Sequence, residues 1–225
     1  MESVFQGRES DSPYIHMIWH GHTDKNYTAT CPAEPRWNLL LIKQKDEVKV
    51  TIEGPLTQAL NKFRLDEADF LVIKFRLGAF FPRLPVTHLA NTDALLPEGA
   101  SKTFWLDGSV WQLPDFENVE TFVDRLVREG VLALDPVVSG VLENQPQYVS
   151  DRTLRRRFLY TTGLTPKALQ QIERAQQAAD LLAQGGSILD AVYETGYADQ
   201  PHLTRSLKRF YGQTPAQIAG IAQAT

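Results

Sequence analysis

The segment from Ser187 to Pro215, SILDAVYETGYADQPHLTRSLKRFYGQTP, most constrains how this 225-residue chain can fold. Its first part, Ser187 to Glu194, begins on a serine that can cap a helix, and it places apolar residues three and four positions apart. Thr195-Gly196 interrupts that pattern at a glycine, which tolerates the positive φ of a tight turn. The segment therefore predicts a short helix, a turn and a second helix.

The second helix is predicted to be amphipathic. Asp199 can cap it, and Pro201 is tolerated in a first helical turn. Leu203, Leu207 and Phe210 form its apolar side, whereas Gln200, His202, Arg205 and Lys208 are left outside. A helix of this kind fits the major groove of DNA, where Gln suits adenine and Arg suits guanine. An ordinary helical hairpin with a solvated polar face is the simpler alternative.

Ser150 to Thr161, SDRTLRRRFLYT, has the same construction further upstream. Leu154 and Phe158 are expected to point inward, and three arginines point outward. Between the two candidates lies a connector helix, Thr165 to Gln184, which has a cap, a proline at its first position and a Gly-Gly stop. At 1.5 Å per residue this connector is roughly 28 Å long. Because successive major grooves recur at about 34 Å, it could place two reading helices on one site.

These segments together resemble the DNA-binding domain of the AraC/XylS family of bacterial transcription regulators. The resemblance lies in LRRRF, TGLTP, ERAQQAADLLAQG and GYADQPHLTRSLKRFYGQTP, and in their order and spacing between Ser150 and Pro215. It implies that Gly196, Tyr197 and Pro215 are framework residues. It also implies a set of residues that approach bases or phosphates, namely Arg152, Arg155, Arg156, Gln200, Pro201, His202, Thr204, Arg205 and Lys208.

The sequence departs from this family pattern in two places. Family members carry two helices before the first reading helix, but here the apolar spacing from Leu134 to Leu142 supports only one. The segment NQPQYV, residues 144–149, replaces the usual scaffold helix, so we expect a turn to hold the first reading helix. Pro201 stands where many relatives have a side-chain amide, which shifts base recognition toward Gln200, His202 and Arg205.

The charge of the chain is unevenly distributed. Residues 145–225 hold nine Lys and Arg against six Asp and Glu, and the preceding residues hold fourteen against twenty-one. The C-terminal part is therefore the basic one, with a net charge of +3. Since non-specific affinity for DNA comes mainly from phosphate neutralisation, we expect a few phosphate contacts and a moderate dependence on salt.

Short segments of strand length, separated by Pro, Gly and Asp, dominate residues 1–115. The predicted strands are Tyr14–His20, Tyr27–Cys31, Trp37–Lys43, Val48–Glu53, Gln58–Phe63 and Phe70–Leu77, with one or two more between Phe104 and Leu113, followed by a helix over Asn118–Glu129. The segment FLVIKFRLGAFFPRLP, Phe70 to Pro85, resembles an FRPG-like motif of sensor domains, with Leu77 in place of the proline. The predicted fold is α+β, with an all-β cupin-like barrel or sandwich followed by an all-α double helix-turn-helix domain. The predicted divisions are a sensor or regulatory domain at 1–115, a helical connector at 116–144 and an AraC-type DNA-binding domain at 145–225.

Other functional classes find less support in the sequence. A single cysteine, Cys31, argues against the methyl-transfer DNA-repair proteins that share this helical module, because these need several cysteines for zinc. His16, His20, His22 and Cys31 suit zinc by type, but His-x-His near a terminus is usually incidental, so we expect no metal, no cofactor and no catalytic site. Trp19, Trp37, Trp105 and Trp111 are interpreted as core residues rather than as a ligand cage.

The sequence therefore predicts a cytoplasmic transcription regulator that is not an enzyme and has no membrane partner. Its main partner is double-stranded DNA, contacted in two adjacent major grooves, and a small-molecule effector and RNA polymerase are further candidate partners. Both a monomer and a homodimer stay open, because two readers on one chain remove the geometric need for a dimer. The alternatives are a metal-dependent cupin-type enzyme or metal sensor with a helical interaction module, and a pure protein-interaction module.

Overall fold

The computed structural model describes residues 5–84 and 86–223, and Pro85, the last residue of the FRPG-like segment, lies outside them. The architecture is α+β, with a β-rich part first and helices last, as predicted. The strands are β1 (Phe5–Arg8), β2 (Ile15–Thr23), β3 (Tyr27–Cys31), β4 (Asn38–Gln44), β5 (Glu47–Glu53), β6 (Leu60–Arg64), β7 (Ala68–Phe75), β8 (Ala79–Phe80), β9 (Asp93–Leu95), β10 (Thr103–Leu106), β11 (Ser109–Gln112) and β12 (Ala133–Leu134). The helices are α1 (Val119–Arg128), α2 (Pro136–Leu142), α3 (Asp151–Thr162), α4 (Pro166–Ala183), α5 (Ile188–Glu194), α6 (Gln200–Tyr211) and α7 (Pro215–Gln223), with a 3-10 turn at Val86–His88.

Six antiparallel strands form the main sheet, in the order β1-β2-β7-β4-β5-β9. Leu39 of β4 lies opposite Ile52 of β5 and Ile73 of β7, and all three side chains are fully buried. Because residues directly opposite one another on paired strands point to the same face, this face of the sheet lies in the core. Trp37 stacks on Phe75 with ring centroids 4.0 Å apart, and it extends the core beyond the start of β4.

The described strands form an open sheet, so the predicted cupin-like barrel is not confirmed. In the described pairing, β1 lies at one edge and β9 at the other. Two of the strands that were expected to help close a barrel, β3 and β6, pair with each other as a separate ribbon. Neither contains a buried residue, so they have no apolar face to offer to the core.

Helix α1 packs in the same core as the sheet, through Val119, Val123 and Leu126. Its polar side forms an ion pair with the first strand, in which Nη1 and Nη2 of Arg8 donate to the two carboxylate oxygens of Glu120. This bidentate pair holds the pKa of the Glu120 carboxyl at about 2, chiefly because the carboxylate accepts hydrogen bonds from Arg8. The helix and the edge strand are therefore joined by a charged contact as well as by the core.

The described residues divide into two compact units. The first holds residues of 5–28, 36–55 and 63–164, and the second holds 29–35, 56–62 and 165–223. Helix α3 thus belongs to the first unit and α4 to α7 belong to the second, together with two short segments from the N-terminal half. The division at residues 115 and 145 that the sequence suggested stays a prediction.

The helices of the C-terminal part begin where the sequence placed them. Ser150, Thr165, Ser187 and Asp199 are the N-caps of α3, α4, α5 and α6, and each side chain accepts a hydrogen bond from a backbone N–H of its helix. Residues 144–149 are not helical, and a single helix, α2, precedes them, as expected. Helix α7 was not predicted. Among the described residues, no helix combines the length and apolarity that a membrane span needs.

We expect Glu120→Gln to lower the free energy of unfolding by about 1 kcal/mol at pH 7, because both partners are partly exposed and solvent weakens the pair. The folded-state pKa of Glu120 lies below its usual value of 4.5, so this stabilisation is present above pH 4.5 and is lost as the pH falls toward about 2. Urea unfolding followed by tryptophan fluorescence should show the gap between wild type and variant narrowing from pH 5 to pH 3.

Glu129→Gln is the matched control, because Glu129 pairs with Arg125 across one exposed helical turn. Such a pair contributes only about 0.3 to 0.5 kcal/mol. An equal, pH-independent loss in the two variants would contradict the role given to Arg8 and Glu120.

Candidate nucleic-acid interface

The second helix-turn-helix, α5 and α6, is fixed by local capping. The Ser187 hydroxyl accepts from the backbone N–H of Asp190, and the Asp190 carboxylate accepts from the N–H of Ser187, which closes a capping box at the start of α5. The Asp199 carboxylate accepts from the N–H of His202 at 2.7 Å and starts α6. The first turn of each helix thus has its free N–H groups partly satisfied by its own sequence.

Tyr197 connects the turn to the helices around it. Its ring is 5% exposed, and its hydroxyl lies 2.7 Å from Oγ of Ser206 on α6. The guanidinium of Arg174 on α4 lies 4.4 Å from the centre of the ring, as a cation–π contact. The framework role that the sequence gave to Tyr197 therefore has a physical basis, since the ring fixes α6 against α4.

Helix α6 has one buried and one exposed side. Leu203, Leu207 and Phe210 are buried, as predicted. Gln200, Pro201, Arg205 and Lys208 are exposed, and His202 and Thr204 are half-buried. The His202 ring packs edge-on against Tyr197 with centroids 5.0 Å apart. His202 therefore contributes to packing as well as standing among the candidate base contacts.

Two short segments from the N-terminal half cap the C-terminal end of α6. The N–H of Ala33 donates to the carbonyl of Phe210 at 2.7 Å, and the N–H of Ala59 donates to that of Arg209 at 2.8 Å. The N–H of Gly212 donates to the carbonyl of Lys208. Three of the last four carbonyls of the helix therefore have backbone donors. We call residues 29–35 and 56–62 the capping segments.

The capping segments are tied to one another and to α4. Glu34 and Leu56 exchange two backbone hydrogen bonds of 3.0 and 2.8 Å. The Gln176 amide on α4 donates to the Ala33 carbonyl at 3.3 Å. Close by, burial together with the charges of Asp180 and Glu34 raises the pKa of Tyr211 to about 12, so its phenol stays neutral.

The first reading helix, α3, presents a basic groove. Arg152, Arg155 and Arg156 are exposed and line a shallow groove together with Thr153, Leu159 and Tyr160. Phe158 is buried at 1% exposure on the opposite side, and Leu154 is half-buried. The structure thus brings the three predicted arginines of α3 onto one surface.

The anchoring of α3 was not predicted. Arg157 donates through Nη1 to the carboxylate of Asp135 at 2.9 Å, and that carboxylate is only 7% exposed. Asp135 is also the N-cap of α2, where it accepts from the N–H groups of Val137 and Val138. The non-helical segment at 144–149 precedes α3, as expected, and α2 and this ion pair hold the helix as well. Asp135-Pro136 is a helix-start signal in the sequence, but nothing local identifies Arg157 as its partner.

Tyr160 is a second anchor of α3 and also lines its groove. Its hydroxyl donates to the carbonyl of Pro82 at 2.6 Å, and its ring packs edge-on against Phe80 with centroids 5.4 Å apart. Both partners belong to the FRPG-like segment. This segment therefore contacts the first reading helix directly, through Pro82 and Phe80.

The histidines that suit a metal by type have other contacts. His20 stacks on Phe116 at 3.9 Å and lies 3.0 Å from Oε1 of Gln6. Nδ1 of His22 lies 2.8 Å from Oδ1 of Asp69, and this hydrogen bond raises the pKa of the imidazole. Within residues 5–84 and 86–223, no group of three His, Cys, Asp or Glu side chains is placed to hold a metal ion.

Comparison with known proteins shows what the sequence of the C-terminal part resembles. Residues 148–220 match a family model described as a helix-turn-helix domain. The HTH-type transcriptional regulator RipA of Corynebacterium diphtheriae is 38% identical over 95 residues, 42% of this chain and 28% of that protein. The HTH-type transcriptional regulator VirS of Mycobacterium tuberculosis is 45% identical over 102 residues, 45% of this chain and 28% of that protein.

A third relative, the bifunctional transcriptional activator/DNA repair enzyme Ada of Escherichia coli, is 38% identical over 83 residues, 37% of this chain and 23% of Ada. The matched part of the chain thus spans 28% or less of the length of each of these relatives. No solved structure matches the chain.

The C-terminal part of the chain is therefore a helix-turn-helix domain of the AraC type, as the sequence motifs predicted. The relatives RipA and VirS are named as HTH-type transcriptional regulators. The individual DNA contacts and the distance between the two reading helices stay predictions.

The contact between the capping segments and α6 leads us to expect that Gly212→Ala lowers the free energy of unfolding. Gly212 ends α6 with a φ of +72°, and a Cβ added there would lie 2.9 Å from Cγ2 of Thr30. Gly196 has nearly the same φ, +70°, and its Cβ would meet open space. Gly196→Ala should cost about 1 kcal/mol of stability from backbone strain alone, and Gly212→Ala should cost more.

Urea unfolding of both variants measures this difference directly. If Gly212→Ala lowers the free energy of unfolding no more than Gly196→Ala does, the capping segments are not packed against the end of α6. A Thr30→Ser background should reduce the excess cost of Gly212→Ala, because it removes the methyl group that the new Cβ would meet.

Proposed function

We propose that this protein is a sequence-specific transcription regulator that binds double-stranded DNA through α3 and α6. The observation that carries the proposal is the exposed side of α6. Gln200 and Arg205 stand there in the first half of a helix whose other side is locked into a packed helix-turn-helix. On a rigid helix, a Gln amide can donate to and accept from adenine, and the forked donors of Arg suit guanine.

The basic groove of α3 supports a second contact with DNA. Arg152, Arg155 and Arg156 provide three guanidinium groups on one exposed surface, which suits phosphates and guanine edges. Arg157 is engaged with Asp135 and is therefore assigned to anchoring. With α3 and α6 in successive major grooves, one chain would read two half-sites, and a dimer would be unnecessary for that purpose.

Within α6 we assign two kinds of contact. Gln200, Pro201, His202 and Arg205 face the bases, whereas Thr204 and Lys208 fix the register on phosphates. The first group occupies the first two turns, where the N-terminal end of a recognition helix approaches base edges. Lys208 lies one turn further along, in the last turn of the helix.

The β-rich part is proposed to regulate this binding, as cupin-like N-terminal domains do in the family that the sequence resembles. We assign a small-molecule effector to the β-rich part, and RNA polymerase as a partner of the DNA-bound protein. Acting on DNA, the protein would work in the bacterial cytoplasm. The physical support is the FRPG-like segment, since Pro82 and Phe80 contact Tyr160 on the groove side of α3.

The first experiment is selection of bound fragments from a fragmented bacterial genome by the purified full chain. We expect enrichment of one motif with two half-sites about one helical turn apart. Failure to enrich any motif, together with binding that disappears at moderate salt, would contradict a sequence-specific regulator.

On the selected site, Arg205→Ala should cost roughly 1 to 3 kcal/mol and relax one base position. Lys208→Ala should instead weaken all sequences about equally and lower the salt dependence of binding by about one unit of slope. Titrations of the cognate site and of single-base variants, repeated over a salt series, distinguish the two effects. Two mutants that lose only salt-dependent affinity would remove α6 from base recognition.

A metal-dependent enzyme or metal sensor on the β-rich part is the competing class. The contacts of His20 with Phe116 and of His22 with Asp69 do not favour it. Metal analysis of the purified chain tests it independently of DNA, because one bound metal per chain, lost in His20→Ala, would support that class.

A further inference from the structure

A cavity of about 320 Å³ lies in the first unit, bordered by residues of the main core and apart from the DNA-binding helices. Its lining combines the FRPG-like segment with the turn of the β10–β11 hairpin. Phe81, Leu106 and Val131 are buried and form an apolar floor, and Leu84 and Leu96 are half-buried at its walls. The volume lies at the lower end of the range for small-molecule sites, so it suits a compact apolar ligand.

An exposed tryptophan borders this cavity. Trp37 and Trp111 are core residues, as predicted, and their indole N–H groups donate to the carbonyls of Ala79 and Leu106. Trp105 is not a core residue, because it is 44% exposed, and no described residue accepts from its indole N–H. The core interpretation was wrong for Trp105 and also for Trp19, which is 39% exposed. A large, half-exposed ring beside an apolar cavity is a surface on which a planar ligand can stack.

Charge at the rim narrows the chemistry of the ligand. Nη1 of Arg83 donates to the Asp107 carboxylate at 2.8 Å, and the Arg83 side chain is still 71% exposed. A guanidinium has five N–H donors, so Arg83 retains donors for a second carboxylate while Asp107, 15% exposed, orients it. Arg83 is the more exposed partner of this pair, and its remaining N–H donors favour a ligand that carries an anionic acceptor.

The cavity is connected to α3 through one short loop. Phe81, Arg83 and Leu84 line it, and Pro82 between them accepts the hydrogen bond of Tyr160. A ligand that moves these side chains moves the carbonyl on which Tyr160 depends. Tyr160 lines the same groove as the three arginines of α3.

We propose that this cavity binds a small apolar carboxylate, and that its occupancy changes the affinity of α3 for DNA through Pro82 and Tyr160. The binding site stands independently of the DNA-binding function, whereas the coupling rests on the proposed function. Arg83 pairs with the carboxylate, Trp105 stacks on the apolar body, and the floor excludes water from it.

Three probes of the same shape test the ligand chemistry: 2-naphthoate, the neutral 2-naphthalenemethanol and the cationic 2-naphthylmethylamine. Binding to the full chain is followed by NMR of the four tryptophan indole N–H signals, with the Trp105 signal identified from Trp105→Phe. We expect naphthoate to shift the Trp105 signal and to bind about threefold or more tightly than the alcohol, since the ion pair is at an exposed rim. The amine is expected to bind weakest.

Arg83→Gln should make naphthoate and the alcohol bind equally, because only the charge contact is removed. Arg128→Gln, an exposed arginine outside the cavity lining, is the matched control and should leave the preference unchanged. The proposed site is overturned if no probe shifts Trp105, if the amine binds best, or if both arginine variants change the preference equally.

The coupling is measured as the affinity for the selected DNA site with and without saturating naphthoate. Wild type should change at least about fivefold, in the range usual for allosteric coupling. Tyr160→Phe, which removes only the donor to Pro82, should still bind naphthoate but lose most of that change. Specific DNA binding that naphthoate does not alter would overturn the coupling, whereas a chain that selects no DNA but binds naphthoate would overturn the proposed function alone.

Discussion

The carboxylate of Asp135 accepts three hydrogen bonds, two from the first turn of α2 and one from the guanidinium of Arg157 on α3. A carboxylate that is 7% exposed is costly without such partners, and removing one of them leaves a poorly compensated charge. Asp135 thus anchors the first reading helix to α2, beside the second anchor that Tyr160 makes with Pro82 and Phe80. The arginines that face outward on α3 keep their common surface because the fourth arginine is held on the inner side.

The second reading helix is supported in a different way. Its capping at the start is local, from Asp199, whereas its end is completed by backbone N–H groups of Ala33 and Ala59. Since β3 and β6 have no buried face, the main sheet gains little from them, and the capping segments, which overlap both strands, are available for this role. Each reading helix therefore depends on residues from the N-terminal half, α3 through side chains and α6 through the backbone.

Sequence reasoning predicted what is encoded locally. Ser, Thr and Asp caps, the Gly-Gly stop and the 3.6-residue period placed α3 to α6, because each signal lies within the helix it defines. Contacts between distant segments were missed: Arg157 was one of four similar arginines, and Ala33 and Ala59 act through N–H groups that every residue except proline has. The barrel prediction failed for a related reason, because strand length does not show which strands share a sheet. Trp105 was misplaced because residue type alone does not determine burial.

The backbone nature of the capping contact has a consequence for how such proteins diversify. Cutting a gene at the start of the helix-turn-helix region and joining it to a new N-terminal half would remove two donors that the end of α6 requires. Exchange of halves would therefore keep this capping only where the incoming half brings comparable backbone donors. Proline is excluded at positions 33 and 59, because both supply a backbone N–H, even though Pro32 and Pro35 flank the first of them.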